Sequence, residues 1–170
     1  CPASFLLKAE QRQTALALEE DVAFYKIFHG WSCARAKEPE LLARYLFLLF
    51  NSDLPRYVAL MTSSQYGVER DAVLLEDLER LPVRPLDQLP EALRARIVPL
   101  SENLADGPLR DWDALDRWIA DVYELDADDQ QTLRDALDVA APESPSRARA
   151  VACVTASQRE ATSPSAAASR

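Results

Sequence analysis

One polar segment in the middle of the chain carries the residue types best suited to binding chemistry. It spans residues 62–71 and reads TSSQYGVERD. Serine, glutamine and arginine side chains hydrogen-bond to phosphates and base edges, and an exposed aromatic ring stacks on a base. The same residues also suit an ordinary turn, in which Gly67 takes a positive φ and Arg70 pairs with Glu69 or Asp71. Residue types alone favour the turn and leave nucleic-acid contact open.

Residues for hydrolytic and metal chemistry are sparse. His29 is the single histidine, and Cys33 follows it four positions later. A helix would bring the two together, but Gly30 and Trp31 interrupt any helix there, and no second Cys/His pair completes a zinc site. The chain offers no histidine suited to act as the base of a hydrolase triad, and it contains no G-x-S-x-G sequence. We therefore expect no catalytic residue and no metal ligand in this chain.

Glycine is scarce, with three in 170 residues, at Gly30, Gly67 and Gly107. Loops that bind phosphates or dinucleotides need clustered glycines so that the backbone approaches the ligand closely. No two glycines of this chain lie within one helical turn of each other. The sequence therefore argues against a nucleotide-binding enzyme of those types, and we expect no cofactor site in this chain.

The charge is distributed unevenly along the chain, whose formal net value is −9. Residues 1–80 hold nine basic and twelve acidic side chains, whereas residues 81–141 hold six and fourteen. Residues 142–170 are slightly basic, with four against two. The acidic block is typical of a solvated helix surface. Any contact with a polyanion should therefore come from the first block.

The cysteines and the lengths of the apolar runs indicate the cellular compartment of the chain and whether it contacts a membrane. Cys1, Cys33 and Cys153 are odd in number and far apart, which predicts free thiols in a reducing, cytoplasmic compartment. The longest apolar run, at 45–50, is far shorter than the ~18 residues of a membrane span, so we expect no membrane contact. Because the chain begins with cysteine rather than methionine, we interpret it as a piece of a longer protein.

Apolar patterning predicts short strands followed by helices. Residues 5–7 and 22–28 are strand-like runs, and the stretch 8–21 between them favours a helical turn or a loop. Glu-Pro-Glu at 38–40 predicts the start of a helix. The apolar run that follows, LLARYLFLLF at 41–50, indicates a helix buried on nearly every side.

Two clearer helices lie in the acidic block. One apolar face at helical spacing is formed by Trp112, Leu115, Ile119, Val122 and Tyr123. Asp126 is predicted to cap the next helix, with Leu133 and Leu137 on its inner face. The few residues between these helices predict an αα-hairpin.

These patterns predict an α+β fold that is helix-rich, with a few short strands, a C-terminal αα-hairpin and a disordered tail. We expect a helix-rich α+β recognition-like domain over 1–100, an acidic helical hairpin over 101–141 and a disordered tail over 142–170. In the tail, 17 of 29 residues are Ala, Ser or Pro, with no periodic apolar face.

The amino-acid sequence of residues 41–82 resembles the C-terminal part of N6-adenine DNA methyltransferases of bacterial restriction–modification systems. There an apolar helix ends in an L-N-S step, a second helix leads to a T-S-S-x-aromatic-G-x-x-R loop, and an acidic helix closes on L-P. The matching features here are Phe50-Asn51-Ser52, residues 62–70 and Leu81-Pro82. The stretch VAFYKIFHG at 22–30 is similar to the family's strand before the apolar helix.

A second stretch, LDRWIADVYEL at 115–125, resembles the family's I-D-x-x-V-Y-x-L-Y-G-L helix, after which an acidic N-cap opens the last helix. Glu124 stands where the family's Y-G-L has its glycine. The resemblance covers roughly residues 3–140, and the tail from Pro142 matches nothing in the family. Its specificity lies in the order and spacing of the motifs.

The resemblance implies part of an adenine-specific DNA methyltransferase rather than the whole enzyme. In that family a catalytic lobe binds S-adenosylmethionine and carries an N-P-P-Y-like tetrapeptide beside the flipped adenine; that tetrapeptide does not occur here. This chain is then the non-catalytic target-recognition segment, and its partners are double-stranded DNA and the missing catalytic lobe. The resemblance implies DNA contacts by Ser63, Ser64, Gln65, Tyr66 and Arg70, with Asn51 and Ser52 shaping the helix junction.

A protein–protein interaction module of a larger bacterial complex is the alternative. The apolar helix at 41–50 and the acidic hairpin would then dock on a partner subunit. The net charge of −9 slightly favours this alternative, because DNA affinity depends largely on neutralised phosphates. A degenerate remnant without activity is a third interpretation.

Overall fold

Three strands precede the helices in the computed structural model, which describes residues 5–8, 15–17, 28–62, 75–106 and 111–140. The strands are β1 (Phe5–Lys8), β2 (Ala15–Ala17) and β3 (Phe28–Trp31). The helices of the described ranges are α1 (Pro39–Asn51), α2 (Leu54–Thr62), α3 (Leu75–Glu79), α4 (Glu91–Arg94), α5 (Ile97–Asp106), α6 (Trp112–Tyr123) and α7 (Ala127–Ala140), with a 3-10 turn at Leu86–Gln88. The helix-rich α+β fold class is confirmed.

The three strands form one antiparallel sheet in the order β2-β1-β3. Phe5 pairs with Ala17 on one side and with Trp31 on the other. The strand predicted at 5–7 is confirmed, and β3 begins at Phe28, while residues 22–27 lie outside the described ones. The helical turn or loop expected at 8–21 is wrong for Lys8, which belongs to β1, and for Ala15–Ala17, which form β2. Pairing with β1 overrides the weak strand preference of alanine in β2.

Helix α1 begins where the sequence predicts. Pro39 opens the helix, since the amide that proline lacks has no intrahelical partner in the first turn. The second half of the helix is buried: Tyr45, Leu48 and Leu49 have no exposed surface. Helix α1 packs against β1, β2 and α5, so it lies between the sheet and the later helices.

Most buried apolar side chains of the described residues form one hydrophobic cluster, whose members run from Cys33 to Val122 in the sequence. Trp118 at its centre is fully buried and stacks edge-on against Tyr45, with ring centroids 6.0 Å apart. Leu133 of α7 packs against the same cluster. None of the helices in the described ranges is long and apolar enough to cross a membrane.

Helices α6 and α7 follow each other through three residues, 124–126. Asp111 caps α6 by accepting a hydrogen bond from the Ala114 amide at 2.8 Å. Asp126 caps α7, as predicted, by accepting from the amides of Asp128 and Asp129, each at 2.9 Å. The main contacts of α6 are with α4 and α5, and those of α7 are with α2. The tail predicted over 142–170 lies outside the described residues.

Candidate nucleic-acid interface

The predicted DNA-contact residues fall between α2 and α3, in a segment outside the described ranges. These residues are Ser63, Ser64, Gln65, Tyr66 and Arg70. The structure therefore describes the two flanks of the segment and not the predicted contact residues themselves. Their binding role stays a prediction.

The first flank is the C-terminal end of α2, which reaches the protein surface. Met61 is 64% exposed, and the adjoining Thr62 is also exposed. The hydroxyl of Thr62 donates to the carbonyl of Val58 at 2.7 Å, one helical turn earlier. The last described residues of α2 therefore face solvent.

Helix α1 ends at Asn51, and Ser52 and Asp53 separate it from α2. The buried Ser52 donates from its hydroxyl to the Leu49 carbonyl at 2.7 Å, and its amide donates to the same carbonyl at 3.1 Å. The Asn51 side-chain amide donates to the Phe47 carbonyl at 2.9 Å. The two bonds from Ser52 satisfy the Leu49 carbonyl, which is one of the last four carbonyls of α1 and has no amide partner within the helix. Asn51 and Ser52 thus shape the junction, as predicted.

The second flank is α3 and the residues after it. Leu78 and Leu81 are 5% and 7% exposed, respectively, and both belong to the hydrophobic cluster. The backbone then turns, with the Val83 amide donating to the Leu81 carbonyl at 2.8 Å. Both described flanks of the predicted DNA-binding segment, α2 and α3, therefore pack against one core.

The junction between α6 and α7 has an unusual backbone. Glu124 has φ 57° and ψ 36°, the left-handed conformation that glycine adopts most readily at a helix C-terminus. The guanidinium of Arg84 donates to the Val122 carbonyl and forms an ion pair with Glu124, Nη2 to Oε1 2.7 Å. A cation at this end of α6 also interacts favourably with the helix dipole.

Glycine at position 124 is expected to stabilise the protein relative to alanine. Glu124→Gly and Glu124→Ala lose the same ion pair with Arg84, but only alanine keeps a Cβ in the left-handed region, which costs about 1 kcal/mol. Urea unfolding should therefore give the glycine variant a higher free energy of unfolding than the alanine variant by roughly that amount. Equal stability of the two variants would contradict the backbone argument.

Sequence reasoning missed a buried polar cluster beside this junction. The hydroxyls of Tyr45 and Tyr123 are buried, and among the described residues neither has a hydrogen-bond partner of good geometry. Burial raises the pKa of both hydroxyls, and the adjoining Tyr123 raises the pKa of Tyr45 further. Arg84 was detectable as the sole basic residue in the proline-rich connection at 82–90.

Comparison with protein-family models, with curated proteins and with solved structures finds no match to this chain.

Proposed function

We propose that this chain is the C-terminal target-recognition segment of an adenine-specific DNA methyltransferase. It has no catalytic role of its own and contacts double-stranded DNA through a predicted set of five residues: Ser63, Ser64, Gln65, Tyr66 and Arg70. S-adenosylmethionine and the methyl-transfer chemistry belong to the catalytic lobe, with which this segment assembles.

The observation that carries the proposal is the backbone of Glu124. Among the described residues it is the only non-glycine residue with a positive φ. The sequence has no glycine there, yet the methyltransferase family it resembles has one at that position. The left-handed conformation of Glu124 is the one that glycine adopts most readily at a helix end, which agrees with the glycine that the family has at this position.

The order of the helices gives further support. Helix α1 is apolar and ends at Asn51, α2 ends at Thr62, and the acidic helix α3 is followed by Leu81 and Pro82. The family motifs have the same order: an apolar helix to an L-N-S step, a helix to a T-S-S loop, and an acidic helix to L-P.

Replacing Arg70 by alanine in the protein encoded by the complete reading frame is expected to weaken binding to the target duplex about tenfold to hundredfold, the range for loss of one base-contacting arginine. The target is first selected from a random-sequence library, and affinity is measured by fluorescence anisotropy. Arg117→Ala is the matched control, because Arg117 is exposed on α6 and donates to the Asp113 carbonyl at 3.1 Å. Unchanged affinity of the Arg70 variant at moderate salt contradicts the assignment.

The alternative function, a protein-interaction module, is favoured by the charge of α6 and α7. Residues 111–140 hold ten acidic and two basic side chains, a surface that repels phosphates. Such a module binds no duplex even at low salt, whereas a DNA-binding segment does so and loses affinity steeply as salt rises. The same anisotropy experiment therefore separates the two proposals.

A further inference from the structure

We infer that helix α7 is a detachable cover for α2: it opens from α2 as one unit while the rest of the fold stays folded. The inference concerns the acidic helix Ala127–Ala140 and goes beyond the proposed function, since it stands whether or not the chain binds DNA. Helix α2 is the main packing partner of α7 and ends at Thr62, directly before the predicted DNA-binding segment. Opening of α7 would therefore uncover the helix that leads to that segment.

Helix α7 is attached through few buried side chains. Of its thirteen side chains over 127–139, nine are exposed, and only that of Leu137 is buried. Leu137 is 7% exposed but is not a member of the hydrophobic cluster, against which Leu133 packs as a partly buried neighbour. By contrast, α6 buries five side chains, among them Trp118 at the centre of the cluster. Loss of the α7 contacts would therefore leave the cluster largely intact.

The polar bonds of α7 stay within the helix and its junction with α6. Gln131 donates from its side-chain amide to Asp135 at 2.6 Å, and the single basic residue of α7, Arg134, donates to Gln131 at 3.2 Å. Across the described ranges, no hydrogen bond or ion pair joins α7 to another helix. Helix α6 has such a bond, because Trp118 donates to the Leu93 carbonyl of α4. Apolar contact alone therefore holds α7 on α2.

The junction at 124–126 completes each helix separately. On the α6 side, the Leu125 amide donates to the Ala120 carbonyl at 2.9 Å, the bond that closes a helix after a left-handed residue. On the α7 side, Asp126 caps the helix. The Gln130 side chain donates to the Leu125 carbonyl at 3.1 Å, a bond to the junction itself. Because neither helix needs the other for its terminal backbone bonds, α7 can leave α2 without breaking those of α6.

Detachment has a measurable signature in amide hydrogen exchange. A helix of 14 residues is marginal in water on its own, so α7 should lose its helical hydrogen bonds once it leaves α2. Its amides are then expected to exchange faster than the slowest amides of α1 and α6, which exchange by global unfolding. The α7 amides over 131–139 should share one opening equilibrium, whereas fraying would give rates that rise steadily toward Ala140.

The test is hydrogen exchange followed by NMR in the 170-residue chain, under conditions in which the rates report opening equilibria. Trp118→Phe weakens the core around α6, so it should raise the exchange rates of the slowest α1 and α6 amides about fivefold to hundredfold. The same substitution should leave the α7 rates within about twofold of wild type, because the opening of α7 does not disturb Trp118.

A second pair of variants identifies what holds α7 in place. Leu137→Ala removes the buried contact and is expected to raise the α7 rates at least about tenfold. Val139→Ala is the matched control on the same helix, because Val139 is 83% exposed, and it should not raise them.

Equal acceleration of α6 and α7 exchange in Trp118→Phe would show that α7 opens only with the whole fold, which overturns the inference. A steady gradient of rates along α7 overturns it too, as do unchanged α7 rates in Leu137→Ala. None of these outcomes involves DNA, so the proposed function is decided separately by the anisotropy measurement.

Discussion

Replacing Trp118 by alanine is expected to lower the free energy of unfolding by about 3–5 kcal/mol, the usual cost of deleting a large buried aromatic ring. Trp118 is fully buried, stacks on Tyr45, and donates from its indole nitrogen to the Leu93 carbonyl at 3.1 Å. It thereby joins α6 to α1 and α4. Since domains are stable by only about 5–15 kcal/mol, much of the stability should be lost.

Urea unfolding followed by circular dichroism measures this loss as a lower midpoint at unchanged slope. Trp118→Phe keeps an aromatic ring but is smaller and removes the indole donor to the Leu93 carbonyl, which still accepts from the Arg96 amide at 3.2 Å. An intermediate loss of about 1–3 kcal/mol is therefore expected. Arg117→Ala, at the neighbouring exposed position, should stay within about 0.5 kcal/mol of wild type. A Trp118→Ala variant as stable as this control would show that the core does not centre on Trp118.

The second large effect is expected at alkaline pH, from the buried hydroxyls of Tyr45 and Tyr123. Burial holds their pKa above that of an unfolded tyrosine, about 10. Above that pH the unfolded chain has released these protons and the native protein has not, so stability decreases as pH rises. For the fully buried Tyr45 alone the slope reaches about 1.4 kcal/mol per pH unit.

The measurement is the free energy of unfolding at a series of pH values through and above 10. Tyr45→Phe/Tyr123→Phe should flatten the decrease, and below pH 9 it should cost little, because it removes two buried hydroxyls that lack good hydrogen bonds. Trp118→Phe is the control for destabilisation, since it weakens the core and keeps both hydroxyls. If the double variant loses stability as steeply as wild type, other groups cause the alkaline unfolding.

Local signals predicted much of the helical part of the fold. The Pro39 helix start, the Asn51–Asp53 break and the Asp126 cap depend on residues only a few positions apart, and the structure has all three. The apolar face of α6 was predicted by its spacing, although the ring that contributes most, Trp118, was left out of that face.

Features that depend on distant partners were not predicted. The strand Ala15–Ala17 exists through pairing with β1, and its own residues favour other structures. Arg84 meets Glu124 across 40 residues of chain, a contact that no local pattern encodes. For the candidate site, the sequence names the residues of 63–70 while the described structure holds only their flanks, so their contacts stay a prediction.

The sheet order has a consequence for folding and for shortened versions of the chain. Its middle strand, β1, precedes both of its neighbours, β2 and β3, in the sequence. During synthesis β1 can pair with β2 once Ala17 has emerged, whereas its second ladder, with β3, has to wait for Trp31. A fragment that starts after Lys8 lacks β1 and therefore loses both strand pairings of the sheet. Strands β2 and β3 do not pair with each other, so α1 would lose the sheet against which it packs.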